Sequence, residues 1–381
     1  VTLSLEILDR LIAFETVSDR SNISLITYVE DFLRTRGFRL QRIADANEDK
    51  AGLFAEIGPS TDGGLLLSAH SDVVPVAGQA WSVPPFKLTR QGDRLFGRGT
   101  TDMKGFLAEM LALADSVCSR DLKEPLKLLV SYDEEIGCVG ISRMKHHLPQ
   151  LLGRPRLAIV GEPTEMQVAI GHKGKRAYRA DFRGEAGHSA LAPNFVNALH
   201  LAVDFVNKLR GMQKVMRDTG AHNPAYDVPY TTFHTGQLSG GAALNLVPEN
   251  ARLLYEFRHL AEDDPDQIEA QLLQAAEEVA AAFSAPAAIS IEALARYPGL
   301  SVDASDPVIP LVQSWCGCET THVAFGTEAG VLFELGVPTI VCGPGSMVGQ
   351  GHKPDEFITQ QQLYSCSGML QTAAQHLLYC S

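Results

Sequence analysis

The chain has 381 residues, 45% hydrophobic and 20% charged, with a formal net charge of −13. This composition supplies apolar material for more than one core and excludes a disordered chain, a collagen and a small disulfide scaffold. The acidic balance lacks the basic footprint of a general nucleic-acid binder, and the apolar runs, broken by Pro, Gly or charge, leave no transmembrane stretch. Seven cysteines (Cys118, Cys138, Cys316, Cys318, Cys342, Cys366 and Cys380) form no regular framework and read as free, mostly buried thiols of a reducing compartment. The Cys316-x-Cys318 pair has no further soft ligands nearby and reads as structural. The opening segment has acidic residues and an apolar stripe at helical spacing (Leu5, Leu8, Ile12) in place of the basic start of a signal peptide, so a cytoplasmic location is expected.

In chain order, residues 4–15 and 22–36 are expected to be amphipathic helices, the second stopped by Gly37. The compact run at 65–70 follows an Asp-Gly-Gly turn and suits a buried strand. From Gly105 to Val117, Phe106, Met110, Leu113 and Val117 recur at helical spacing, and residues 126–132 and 156–163 read as two more buried strands. Strand and helix alternate, which predicts an α/β catalytic domain with helices on both faces of a sheet.

The pattern changes after His172-Lys173-Gly174. Residues 176–185 alternate polar and apolar, and then come a helix at 194–213, strands at 230–239 and 250–259, a helix at 266–283 and a strand at 286–294. That β-α-β-β-α-β order predicts an α+β domain, a four-stranded antiparallel sheet with two helices on one face. Residues 175–296 are therefore expected to form an inserted domain, and residues 1–174 with 297–381 the α/β domain, which closes with an apolar strand at 337–343.

Five short segments carry chemistry. His70 and Asp72 lie two apart at a strand end and face the same way; a metal-binding histidine usually passes its second ring N–H to a carboxylate. Asp102 sits in the glycine-dense loop Gly97–Gly105, whose spacing matches neither phosphate-binding pattern. Asp133-Glu134-Glu135 follows the strand at 126–132, where three carboxylates repel unless a cation compensates, and where open α/β sheets place their sites. Glu162 follows the next strand, and His352 follows a glycine-rich turn. Two His and three carboxylates suit two divalent cations such as Zn, Co or Mn, each with one His and one carboxylate and with one carboxylate shared; Glu134 is left over as a base.

The segments SAHSDVVP, GRGTTDMKG, SYDEEIG, VGEPT, GHKG, GEAGHSA, LNLVPE, GTEAGVLFELGVPTIVCGPG and GHKPDEF resemble, over essentially the whole chain, the M20 family of co-catalytic metallopeptidases and deacylases. Gly326-Thr327-Glu328-Ala329, with GEPT and GHKG, is similar to the acetylornithine-deacetylase group of that family, although Gly351 stands where that group commonly carries Ala. The resemblance implies that His70 and Glu162 hold one metal, that Glu135 and His352 hold the other, and that Asp102 bridges them. Asp72 orients His70, and Glu134 is the general base and acid. It implies a cis peptide at Asp102–Met103. It implies that the inserted domain is a lid and homodimerisation domain, from which His188 stabilises the oxyanion across the dimer while Arg258 and Asn245 bind the substrate.

The expected reaction is hydrolysis of the N-acetyl amide of N2-acetyl-L-ornithine, a step of arginine biosynthesis. The substrate is a small N-acyl amino acid, with no nucleic-acid or membrane partner. Glu328 is a candidate partner for the ornithine ammonium, with a structural helix-start carboxylate as the other reading. The alternatives are a succinyl-diaminopimelate desuccinylase, an aminoacylase or a dipeptidase. A non-catalytic amino-acid-binding protein on the same fold would have lost Glu134 or a ligand, and all are present.

Overall fold

A computed structural model describes residues 2–47, 49–60 and 62–379; Cys380 lies outside them. The chain divides into two compact units, Val1–His172 with Leu300–Ser381, and Lys173–Gly299. The sequence pattern placed these changes after residues 174 and 296.

The first unit is built on a nine-stranded mixed sheet. Its centre is three fully buried strands, Leu126–Ser131, Leu65–His70 and Leu157–Val160, paired in parallel. Parallel strands covered on both faces need near-continuous apolar sequence, and these three have it. Thr339–Val341 adds a fourth parallel strand beside Leu157–Val160. Because the four run the same way, their carboxyl ends open on one edge of the sheet. Ala51–Ile57 and Arg39–Ala44 extend the other side antiparallel.

The helix Lys104–Val117 is buried almost all round, not along a single stripe, because Thr2–Ile12 and Gln360–Ala374 also pack on it. On Thr2–Ile12 the buried apolar residues are Ile7, Leu8, Leu11 and Ile12, with Leu5 only part-buried. The helix Ile23–Arg34 stops as expected: Gly37 takes φ +81°, and Phe38 N–H donates to the Leu33 carbonyl. The described cysteines are all free thiols, three buried and three part-buried. No helix among the described residues is long and apolar enough to cross a membrane.

The second unit is a four-stranded antiparallel sheet in the order Thr232–Gly240, Asn250–His259, Gly174–Arg183, Ala288–Tyr297. Alternation puts Tyr178, Ala180 and Phe182, and Leu253, Tyr255 and Phe257, on one face, where the helices Ala198–Thr219 and Pro265–Ala281 cover them. Tyr178 stacks on Tyr255 at 5.3 Å between ring centroids. The helix expected from residue 194 starts at Ala198, because Asn197 accepts the Leu199 N–H at 2.9 Å as its cap.

The contact between Thr2–Ile12 and Lys104–Val117 contains a titratable group. Glu109 accepts from the Ser4 hydroxyl at 3.0 Å through Oε2, while its buried Oε1 has no partner. Burial pushes its carboxyl up to about 7. A carboxyl raised in the folded state contributes stability that is complete below its unfolded pKa and is lost as pH rises through 7. Glu109→Gln is therefore expected to be more stable than wild type by about 1–3 kcal/mol at pH 8 and to lose that advantage by pH 5. Urea unfolding at the two pH values checks this; an equal difference at both contradicts it.

Candidate metal centre

His70 is the last residue of a central strand, and Glu135 and Glu162 follow the ends of its two neighbours. Asp102 arrives from the glycine-rich loop that precedes Lys104–Val117, and its peptide to Met103 is cis, as the family resemblance implied. His352 arrives from the loop after Thr339–Val341, with φ +58°; Asp133, which leads into Glu134, has φ +55°. Left-handed backbone at non-glycine residues is uncommon, and here it occurs at two turns that bring side chains to one place.

Ligand atoms converge in two groups, His70–Asp102–Glu162 and Asp102–Glu135–His352, each within 4.8 Å. Asp102 belongs to both. Its Oδ1 lies 3.0 Å from His70 Nε2, and its Oδ2 lies 3.0 Å from His352 Nε2. Glu135 Oε2 is 2.9 Å from His352 Nε2, and Glu162 Oε1 is 3.6 Å from His70 Nε2. All five residues expected as ligands are thus brought together, with Asp102 between the two histidines.

Burial and mutual charge shift every titratable group of the two sets. Burial, and then the charge of Asp102, pushes Glu135 up to about 7 and Glu162 well above the carboxylate range. Burial also pushes Asp102 upward, but its bonds to His352 and His70 outweigh this and hold it well below that range. Hydrogen bonds to Asp102 and Glu135 push His352 up to about 10. Burial pulls His70 down, yet its bonds to Asp102 and Asp72 and the charge of Glu162 win, and it sits well above an ordinary imidazole. Buried Glu135 Oε1 and Glu162 Oε1 have no hydrogen-bond partner. An N/O donor set with orphaned carboxylate oxygens fits divalent cations of the Zn, Co or Mn kind.

Asp72 meets the His70 ring through its backbone carbonyl and, at longer range, its carboxylate. His70 Nδ1–H donates to the backbone carbonyl of Asp72 at 2.9 Å, while the nearer carboxylate oxygen is 3.5 Å away. The chain turns so tightly after the strand that the carbonyl two residues on reaches the ring first. This still leaves Nε2 as the free ligand atom. The Asp72 carboxylate also accepts the Ser18 hydroxyl at 2.7 Å and the N–H groups of Glu134 and Glu135 at 3.1 and 3.3 Å. It fixes the acidic turn as well as its own strand end.

Glu134 receives the Cys138 thiol at 3.2 Å. Burial raises its carboxyl well above the usual range, with His70 opposing and Glu135 reinforcing the shift. Glu328 stands at the start of the helix Ala329–Glu334 but makes no capping bond. It is 1% exposed, both carboxyl oxygens are buried without a partner, and burial pushes it up to about 7.

His188, Asn245 and Arg258 lie in the second unit. His188 pairs with Leu246, beside Asn245, and its Nδ1 accepts the Ala190 N–H at 3.1 Å. Arg258 is at the far end of Asn250–His259 and donates through Nε to Glu256 at 2.9 Å. The fold of this unit brings His188 and Asn245 together and sets Arg258 at the other end of its strand.

The profile of peptidase family M20/M25/M40 matches residues 66–376. An acetylornithine deacetylase from Aliivibrio fischeri (strain MJ11) is 33% identical over 342 residues, covering 89% of this chain and 88% of the relative. Another, from Pasteurella multocida (strain Pm70), is 33% identical over 369 residues, covering 94% and 93%. An M20 family metallo-carboxypeptidase from Sulfolobus solfataricus superposes with a TM-score of 0.81 at 18% identity, over 97% of this chain and 98% of that one. A dinuclear metal-binding M20 peptidase from Bacillus subtilis superposes with a TM-score of 0.69 at 14% identity, over 98% and 97%. The chain belongs to peptidase family M20/M25/M40 and is a hydrolase of amide bonds.

Proposed function

We propose that the chain hydrolyses the N-acetyl amide of N2-acetyl-L-ornithine to acetate and L-ornithine, in the cytoplasm and within arginine biosynthesis. The observation that carries the hydrolytic reading is the pair of three-residue groups sharing Asp102 with Glu134 beside them. The ornithine reading draws its support from relatives named acetylornithine deacetylase that align over about nine-tenths of the chain. His70 and Glu162 would hold one cation and Glu135 and His352 the other, with Asp102 bridging; zinc suits the donors first, and cobalt or manganese also fit. When bound, such a pair of cations polarises the acyl carbonyl and brings the pKa of a bound water toward neutrality.

The chain's own groups then move the protons. Glu134, its carboxyl raised above the usual carboxylate range by burial, takes the proton of the attacking water as the oxygen bonds to the acyl carbon. It returns that proton to the departing amine as the C–N bond breaks. In a neutral His188 ring, Nδ1 accepts the Ala190 N–H, so Nε2 carries the proton and can donate to the oxyanion. Arg258 clamps the substrate α-carboxylate with its remaining N–H groups, preferably bidentate, and Asn245 adds a polar contact beside His188.

The separation of His188 and Arg258 along their unit's sheet supports a reading in which they serve different sites. Arg258 lies eight residues along Asn250–His259 from its start, beyond which the chain reaches the partner of His188. That stretch is about 27 Å at the rise of an antiparallel strand. One acylated amino acid spans far less, at roughly 3.5 Å per extended residue. We therefore propose a homodimer formed through the second unit, with His188 acting in the partner's site.

The test of the substrate is a panel on metal-reconstituted enzyme: N-acetylornithine, N-acetylmethionine, N-succinyl-diaminopimelate and dipeptides. The highest kcat/KM is expected for N-acetylornithine, and a preference for any other member replaces the reading. For the metals, Asp102→Ala is expected to disturb both bound equivalents and His352→Ala mainly one, read by elemental mass spectrometry; full occupancy in Asp102→Ala contradicts the bridge. Glu134→Ala is expected to keep its metal and lose about 10²–10⁴-fold in kcat. A change confined to KM would make it a binding group only. Mixing equal amounts of His188→Ala and Glu134→Ala dimers and allowing subunit exchange is expected to restore about a quarter of wild-type activity under statistical pairing. No restoration would place His188 at its own chain's site.

A further inference from the structure

Two loops far apart in sequence, the one that ends in Asp102 and the one that carries His352, meet where Arg94–Phe96 pairs with Phe357–Thr359, and a buried ion pair lies just beyond that pairing. Arg98 and Glu356 are 258 residues apart, and both side chains are fully buried. Arg98 Nη1 donates to Glu356 Oε2 at 2.5 Å. The other oxygen, Oε1, accepts the Thr101 N–H at 2.9 Å and the Asp102 N–H at 3.2 Å. On the far side of the guanidinium, Nη2 donates to Gln79 Oε1 at 2.5 Å, and Gln79 Nε2 donates to the His352 carbonyl at 3.3 Å.

A buried ion pair is weak evidence of added stability, because removing both charges from water cancels much of their attraction. What distinguishes this pair is where its other bonds go. They end on the backbone of Asp102 and, through Gln79, on the backbone of His352. Glycine-rich or left-handed loops lack the regular ladder that holds His70 and Glu162 on neighbouring strands. Their geometry needs an outside anchor, and this pair meets both of them.

We infer that Arg98 and Glu356 are positioning residues for the Asp102–Glu135–His352 group, fixing the backbone from which Asp102 and His352 present their ligand atoms. The inference rests on the reading of the two groups as cation ligands. Partners one bond removed from a metal typically set its affinity by 10–100-fold. Two of the three ligands in this group depend on the pair, against one of three in His70–Asp102–Glu162. The loss is therefore expected to fall mainly on one of two bound equivalents.

The experiment is a titration of chelator-stripped protein with zinc, in competition with a chromophoric chelator. Wild type, Gln79→Ala and two double variants are compared. Arg98→Met with Glu356→Gln removes both charges but keeps an acceptor for the two N–H groups; Arg98→Met with Glu356→Leu removes the acceptor as well. Wild type is expected to take two equivalents. The Leu double variant is expected to bind one of them about 10–100-fold more weakly and the other nearly unchanged. The Gln double variant is expected to recover most of that loss. Gln79→Ala, which touches only the half-buried end of the chain of bonds, is expected to weaken the same equivalent by a smaller factor. It decides the matter if the Leu double variant does not fold. Wild-type affinities in both Gln79→Ala and the Leu variant, or an equal loss of both equivalents, would overturn the positioning role. Failure of wild type to take two equivalents would overturn the cation reading itself.

Discussion

The site depends on one carboxylate placed between two imidazoles. Asp102 gives one oxygen to His70 and the other to His352, each at 3.0 Å, with Glu162 and Glu135 next to the two rings. Burial raises the carboxyls of Glu135, Glu162 and Glu134, and the negative charge of their neighbours, Asp102 among them, adds to the shift. Positive charge in the two groups relieves that repulsion at its source. The same crowding reaches Glu134, which stands beside the two groups with its carboxyl raised above the usual carboxylate range.

The sheet makes this concentration of charge possible. Three parallel apolar strands lie side by side, so their carboxyl ends deliver His70, the acidic turn and Glu162 to one edge. Close packing holds that edge in shape. A Cβ at Gly161 would lie 1.9 Å from the Phe106 ring, and one at Gly343 would lie 2.1 Å from the Gly161 carbonyl. Thr164 and Gly343 exchange hydrogen bonds at 3.2 Å, tying the Glu162 segment to the end of the neighbouring strand. Asp72 then anchors the turn carrying Glu134 and Glu135 through their N–H groups. Positions that look like spacers in the sequence are therefore part of the geometry of the ligands.

Much of this was legible in the sequence because it is local. The strands Leu65–His70 and Asn250–His259 match the expected bounds, since an unbroken apolar run and a strict alternation each have one structural solution. Ligands that close a strand or a glycine-rich loop could be read from position alone. What escaped was short or non-local. The helices Val139–Met144 and Leu148–Leu152 are too brief to show a period, and the strand Val168–His172 merges with the change of pattern that follows it. Residues 94–96 pair with 89–91 on one side and with Phe357–Thr359, far along the chain, on the other, and no spacing announces that distant partner. For the same reason Arg98 and Glu356 stood in two recognised segments without being linked. Glu328 was legible as a motif residue, whereas its burial with both carboxyl oxygens unpartnered is set by the fold around it.

The central claim is that the two groups form one centre with a shared carboxylate. Anomalous diffraction from crystals soaked with zinc tests it most directly. Two peaks are expected, one bounded by His70, Asp102 and Glu162 and the other by Asp102, Glu135 and His352, with a different oxygen of Asp102 facing each. A single peak, or two peaks that do not share Asp102, would contradict it.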